Sequence, residues 1–172
     1  IRGTCYLTDP VNTPWGAVQC PDFAQVASDK KAYAKATRQQ YDQQDEIYGK
    51  TVIQRHGKQM LVQNPPALSL TQEELDAVYQ LPFQRKPHPM YDAQGGVPGI
   101  AEVQFSIAHN RGCFGYCNFC SIALHQGRRV TCRSEESILK EAKQITEMPN
   151  FKGYIHDVGG PTANFRAPSC KK

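Results

Sequence analysis

No stretch of this chain approaches the eighteen or so apolar residues of a membrane-spanning helix. Nor do Ile1-Arg2-Gly3-Thr4-Cys5 show the charged-then-apolar order of a signal peptide. With a mean hydropathy of −0.57, a soluble, cytoplasmic chain with no membrane partner is expected. An initiator Met is missing, and the chain stops at Ser169-Cys170-Lys171-Lys172 just after a turn; an internal piece of a longer protein is expected. Charge of one sign is not in large excess. Lys and Arg number 20 against 16 Asp and Glu, for a formal net charge of +4, which permits a nucleic acid or other anionic partner without supporting one. An even, well-spread set of cysteines is missing too. There are seven, and three crowd into a loop too tight for ordinary pairing with one another, which argues against a secreted disulfide framework and for reduced thiols on a metal.

Those three cysteines lie in Arg111-Gly112-Cys113-Phe114-Gly115-Tyr116-Cys117-Asn118-Phe119-Cys120. The C-x3-C-x2-C spacing supplies three thiolates, enough for three irons of a four-iron cluster. The fourth iron stays open to a small molecule, so the spacing points to catalysis more than to structure.

A length of 172 residues suffices for one domain with a core, or for one domain plus a loosely attached arm. Residues 1 to about 21, with Pro10, Pro14, Gly16 and Pro21, read as an irregular arm. From Asp22 to about Ile47 a solvated helix is predicted. Thr51-Val52-Ile53-Gln54-Arg55 and Lys58-Gln59-Met60-Leu61-Val62-Gln63 flank His56-Gly57, the pattern of a β-hairpin. Thr71 and Glu74 form a capping box, with Leu70 and Leu75 as the hydrophobic staple, and predict a helix over 72–80. The prolines and glycines from Pro82 to Gly99 predict a linker without strands.

Val103, Phe105 and Ile107 then alternate with polar or small residues, predicting a strand that delivers the chain to the cysteines. Ser134, followed by Glu135 and Glu136, starts a helix with Ile138, Leu139, Ala142 and Ile145 on one face. Gly153 to Val158 reads as a second strand, ending at Gly159-Gly160-Pro161. Strand, loop, helix, strand is a βαβ unit of an α/β fold, with parallel strands and the loop at their carboxyl ends.

Thiolates suit iron-sulfur clusters and zinc alike. Gly112 and Gly115 allow close backbone approach to a bulky inorganic core, and Phe114, Tyr116 and Phe119 can exclude water from it. The rival is a structural zinc site in which His125 or Cys132 joins Cys113, Cys117 and Cys120. Chance is a poor account, since at this cysteine content two further cysteines fall at fixed offsets from a given one roughly once in six hundred trials.

With its aromatic residue just before the last cysteine, the loop resembles the signature of the radical S-adenosylmethionine (radical SAM) superfamily. Phe105-Ser106-Ile107, Arg111-Gly112-Cys113-Phe114-Gly115, Cys120-Ser121-Ile122, His125-Gln126-Gly127-Arg128, Arg133-Ser134 and Asp157-Val158-Gly159-Gly160-Pro161-Thr162-Ala163-Asn164 look like the YgiQ family within it. So do Gln63-Asn64-Pro65-Pro66-Ala67-Leu68, Leu81-Pro82-Phe83 and Pro87-His88-Pro89. The resemblance implies the start of a partial (β/α) barrel at 100–172, preceded by a flanking region at 1–99. It implies a 4Fe-4S cluster on Cys113, Cys117 and Cys120, with SAM on the open iron. The implied activity is reductive cleavage of SAM to a 5′-deoxyadenosyl radical, which takes hydrogen from an unknown substrate, with flavodoxin or ferredoxin as the kind of electron donor.

By the same resemblance Gly159 and Gly160 approach the methionine part of SAM, where Pro161 stands in place of an acid, and Phe119 lies near the adenine; a plain packing aromatic is the alternative for Phe119. Asp157, at a strand end, is taken as facing the site. His109, His125 and His156 are weaker catalytic candidates. Arg128, Arg129 and Arg133 suit a SAM carboxylate, a phosphate-bearing substrate or acidic neighbours. Cys5, Cys20 and Cys170 receive no role, and Cys132 none outside the zinc alternative.

Overall fold

The computed structural model describes residues 1–115, 117–160 and 165. In chain order its elements are β1 (Cys5–Thr8), β2 (Val18–Gln19), α1 (Phe23–Ser28), α2 (Lys30–Asp42), β3 (Val52–His56), β4 (Gln59–Gln63), α3 (Gln72–Tyr79), α4 (Ile100–Val103), β5 (Ile107–Ala108), β6 (Asn110–Arg111), α5 (Ile122–Gln126), β7 (Thr131–Cys132), α6 (Glu135–Thr146) and β8 (Val158–Gly159), with 3-10 turns at Pro10–Asn12 and Pro89–Gln94. The architecture is mixed α/β. Among the described residues there is one four-stranded sheet and two of two strands, and none closes into a barrel. The chain divides into two compact units, residues 1–69 with 117–128 and residues 70–116 with 129–172.

In the first unit the predicted hairpin forms as β3 and β4, in register from Val52↔Gln63 to His56↔Gln59. Gly57 turns it at φ +62, a conformation glycine adopts without a steric cost. The arm expected to be irregular instead supplies both outer strands. β1 pairs antiparallel with β4 and β2 parallel with β3, giving the order β1-β4-β3-β2. No hydrophobic alternation announces these short strands; backbone hydrogen bonds hold them, among them Val18 N–H to Thr51 O (2.8 Å) and Cys20 N–H to Ile53 O (2.9 Å).

Side-chain alternation in β3 then loads both faces of the sheet. Val52 packs with Cys20, Ala36 and Val26, while Ile53 packs with Met60, Val62 and Ala17. Val62 is wholly buried, a burial that stabilises by roughly 1.5–3 kcal/mol. The helix predicted over 22–47 breaks into α1 and α2, because Asp29 leaves helical geometry (φ −123, ψ 116) and its carboxylate caps Lys31 and Ala32 N–H.

In the second unit the capping box of Thr71 and Glu74 forms as read, and it starts α3. Leu75 is buried, but Leu70 stays 42% exposed. The linker holds no strand and only the 3-10 turn at Pro89–Gln94. The strand expected from Val103 begins later. Ile100–Val103 is a helical turn, closed by Gln104 N–H on Ile100 O at 2.8 Å. Val103 is 59% exposed, whereas Phe105 and Ile107 are buried, so the alternation has one member with no face to bury.

The strand itself is β5, and its parallel partner β8 is shorter and later than the run 153–158, pairing Ile107↔Val158 and Ala108↔Gly159. Ser134 caps α6 through Ser137 N–H. Ile145 of α6 packs on Phe105 and Ile107, with Ile138, Ala142, Met148, Phe151 and Ile155 around them. Leu139, expected on the same face, is instead largely exposed, while Ser137 and Glu141 are buried.

Candidate cofactor site around the cysteine loop

Charged groups buried in the second unit fix the strand that leads to the cysteines. Arg133, 1% exposed, and Arg85 both form ion pairs with Glu141. The two guanidinium groups also cover one edge of the strand. Arg85 Nη1 donates to Gln104 O (2.9 Å) and Ser106 O (3.1 Å), and Arg133 Nη1 donates to Ala108 O (2.9 Å). The Ser106 and Ala108 carbonyls lie two residues apart on either side of Ile107 and point to one side, whereas Gln104 still has helical geometry. The opposite edge carries the β8 ladder, with Ile107 N–H on Asp157 O and His109 N–H on Gly159 O.

Ser137 accepts from Arg133 through Oγ and main-chain O, and the Arg133 guanidinium lies 4.1 Å from the Tyr79 ring centre. Burial lowers the pKa of both arginines; for Arg133, Tyr79 and Asp76 oppose the shift and Arg85 adds to it. Both remain cationic at neutral pH. Of the readings open for Arg133, acidic neighbours is the one observed. Arg128 donates to Tyr41 O at 2.8 Å and lies over the Tyr41 ring.

Past Ala108 the chain forms β6 against β7, in register Asn110↔Cys132 and Arg111↔Thr131. Gly112 follows at φ +86. A β-carbon there would lie 2.0 Å from Arg129 O, so glycine is required by close approach of protein backbone. Cys113 comes next, 8% exposed, and its Sγ accepts from Gly115 N–H at 3.3 Å.

Cys113 belongs to the second unit, whereas Cys117 and Cys120 belong to the first. Cys117 is exposed, Cys120 half-buried, and Cys120 N–H closes a turn on Cys117 O at 3.0 Å. Phe119 is 93% exposed. Among the described residues, no three His, Cys, Asp or Glu side chains are grouped to hold a metal ion. The donor set nevertheless fits a cluster chemically. Cys113, Cys117 and Cys120 are all free thiols, soft when ionised, with a main-chain donor already on one sulfur.

Gly159 is buried beside β5, Gly160 is half-buried and Asp157 is exposed. His109 is buried, while His125 and His156 are exposed, His156 stacking on Tyr154 at 4.8 Å. Cys132 Sγ donates to Phe165 O at 3.2 Å. Tyr116, the run 161–164 and Cys170 lie outside the described residues. Asn110 is the polar residue the sequence reading passed over. It is 1% exposed, and its only signal was a polar side chain ending a strand just ahead of the cysteines.

The family description "Radical SAM N-terminal" matches residues 1–106. This chain belongs to that family. Its relatives include a UPF0313 protein of Clostridium botulinum (strain ATCC 19397 / Type A), 53% identical over 171 residues, covering 99% of this chain and 26% of that protein. A UPF0313 protein of Clostridium perfringens (strain ATCC 13124 and its synonyms, Type A) is 51% identical over 173 residues, covering 100% and 26%. The chain thus spans about a quarter of the length of these relatives. No solved structure matches it. The resemblance to radical SAM proteins of the YgiQ type holds, and the matched residues of this radical SAM N-terminal chain end just before β5.

Proposed function

We propose that residues 100–172 open a radical SAM domain, flanked by residues 1–99. In this reading Cys113, Cys117 and Cys120 hold a 4Fe-4S cluster in a protein that binds SAM. It rests above all on three free thiols at C-x3-C-x2-C spacing in a chain of this family. Such a cluster, when bound, supplies the electron for reductive cleavage of SAM, delivered by a donor such as flavodoxin or ferredoxin, to a 5′-deoxyadenosyl radical that abstracts hydrogen from an unidentified substrate.

The chain's own residues have distinct tasks. Gly115 N–H stabilises negative charge on the Cys113 sulfur. Gly159 and Gly160 offer backbone groups to the methionine part of SAM, and exposed Phe119 offers a ring face to the adenine. Asp157 stands at the strand end as a polar contact. Support for an open, partial barrel comes from the capped edge of β5. The Ser106 and Ala108 carbonyls already accept from Arg85 and Arg133, which disfavours pairing of a further strand at that edge and favours growth of the sheet beyond β8.

The test is release of 5′-deoxyadenosine when the whole protein carrying this chain is incubated anaerobically with SAM and a strong one-electron reductant. Release from wild type and none from Cys113→Ala, Cys117→Ala or Cys120→Ala is the expected result. Iron-loaded wild type that leaves SAM intact would refute the proposal.

A further inference from the structure

Asn110 is 1% exposed, yet neither its side-chain oxygen nor its nitrogen has a hydrogen-bond partner among the described residues. Leaving a buried polar group unpaired costs about 1–3 kcal/mol, so a carboxamide with both ends unmet is an expensive choice unless something else engages it.

Its position says what that is. Ile107 points into the core with Ile145, and strand alternation puts Asn110 in phase with Ala108, on the opposite face. Ala108 is in register with Gly159, and His109 N–H reaches Gly159 O at 2.9 Å. Asn110 therefore sits one step beyond that ladder, three residues before Cys113 and at the carboxyl end of β5, where α/β folds keep their ligands.

We infer that Asn110 is a binding residue for the α-amino-acid end of SAM, an assignment that rests on the function proposed above. The chemistry is complementary. A carboxamide has one acceptor and a donor group; the methionyl end of SAM has an amino N–H that can donate to Oδ1 and a carboxylate oxygen that can accept from Nδ2. Alongside it the Gly159-Gly160 backbone can approach the same end of the molecule.

The experiment uses the whole protein, reconstituted anaerobically, as wild type and as Asn110→Leu, with Asn110→Ala as a second variant. Iron and sulfide content, melting temperature and SAM affinity by equilibrium dialysis are measured on each. Since Leu approximates the shape of Asn without polar atoms, the unliganded variant should melt no lower than wild type, keep its iron and sulfide, and bind SAM about tenfold or more weakly. Methionine should compete with SAM less effectively on the variants than on wild type.

Unchanged SAM affinity in a cluster-loaded variant would overturn the assignment, as would a large fall in melting temperature with affinity intact, which would mark Asn110 as a structural hydrogen-bonding residue. Wild type that takes up neither iron nor sulfide would instead refute the cluster reading, and the assignment with it.

Discussion

A β-carbon added to Gly112 would lie 2.0 Å from the carbonyl oxygen of Arg129 and 2.8 Å from its carbon. Gly112 also has φ +86. These two facts fix the residue immediately ahead of Cys113 more firmly than any cofactor requirement does.

Gly112→Ala should therefore destabilise the protein by at least about 2 kcal/mol, since positive φ and the backbone clash act together. Gly57→Ala is the comparison. Its φ is +62 but nothing lies within 4 Å of the added carbon, so a loss of only about 1 kcal/mol is expected. Denaturant unfolding of both variants checks the ranking, and equal losses would show that the approach to Arg129 is not what matters.

Glu141→Ala should cost about 3–5 kcal/mol, because it strands the buried Arg133 cation and the half-buried Arg85 cation beside it. Replacing Arg85, Glu141 and Arg133 together by Met, Leu and Met should cost less than the single change, since no uncompensated charge remains. The measure is again denaturant unfolding. A triple variant much weaker than Glu141→Ala would locate the stabilisation in the carbonyl contacts of the arginines.

Legibility in the sequence was uneven, and for physical reasons. The hairpin around Gly57, the capping box of Thr71 and Glu74, the Ser134 cap and the parallel pairing of the strands beside the cysteines all rest on nearby signals. β1 and β2 were missed because Cys5–Thr8 and Val18–Gln19 are recruited by backbone bonds to distant β4 and β3. Val103 mimicked a strand residue because a short helical turn also permits such spacing. The Arg85–Glu141–Arg133 network joins residues 56 positions apart, and local reading assigned Arg133 to ligand or acidic neighbours without telling which. At the cysteine loop the spacing narrowed the chemistry to thiolate ligation of iron-sulfur or zinc and the family resemblance favoured iron-sulfur, whereas the need for Gly112 came from Arg129 and the burial of Asn110 from tertiary structure.

Asp45 carries a pH signal. Its carboxylate accepts from Tyr48 N–H (2.8 Å) and Ile47 N–H (2.7 Å), and its pKa is lowered first by the Tyr48 bond, with Ile47 and Arg128 adding and burial opposing. A carboxyl depressed on folding stabilises above its unfolded pKa of about 3.9 and loses that contribution as pH falls through the folded value. Wild type should thus be more stable than Asp45→Asn at neutral pH, and the gap should close on acidification. A gap independent of pH would rule out ionisation as its cause.

Thiol reactivity should sort the cysteines of the metal-free chain. Cys5 and Cys117 are exposed and should react first with an aromatic disulfide reagent. Cys20 is 2% exposed, and burial raises its thiol pKa with only partial opposition from Lys35, so it should react only on unfolding. Rapid labelling of Cys20 in the folded chain would contradict the sheet packing around Val52 and Ala36.

Most directly, iron and acid-labile sulfide can be counted in the chain prepared under strict exclusion of oxygen, beside its Cys117→Ala variant. About four of each per wild-type chain are expected, with loss of both in the variant. Iron-free protein that keeps one zinc per chain, released by chelators with unfolding of the domain, would contradict the cluster and the function built on it.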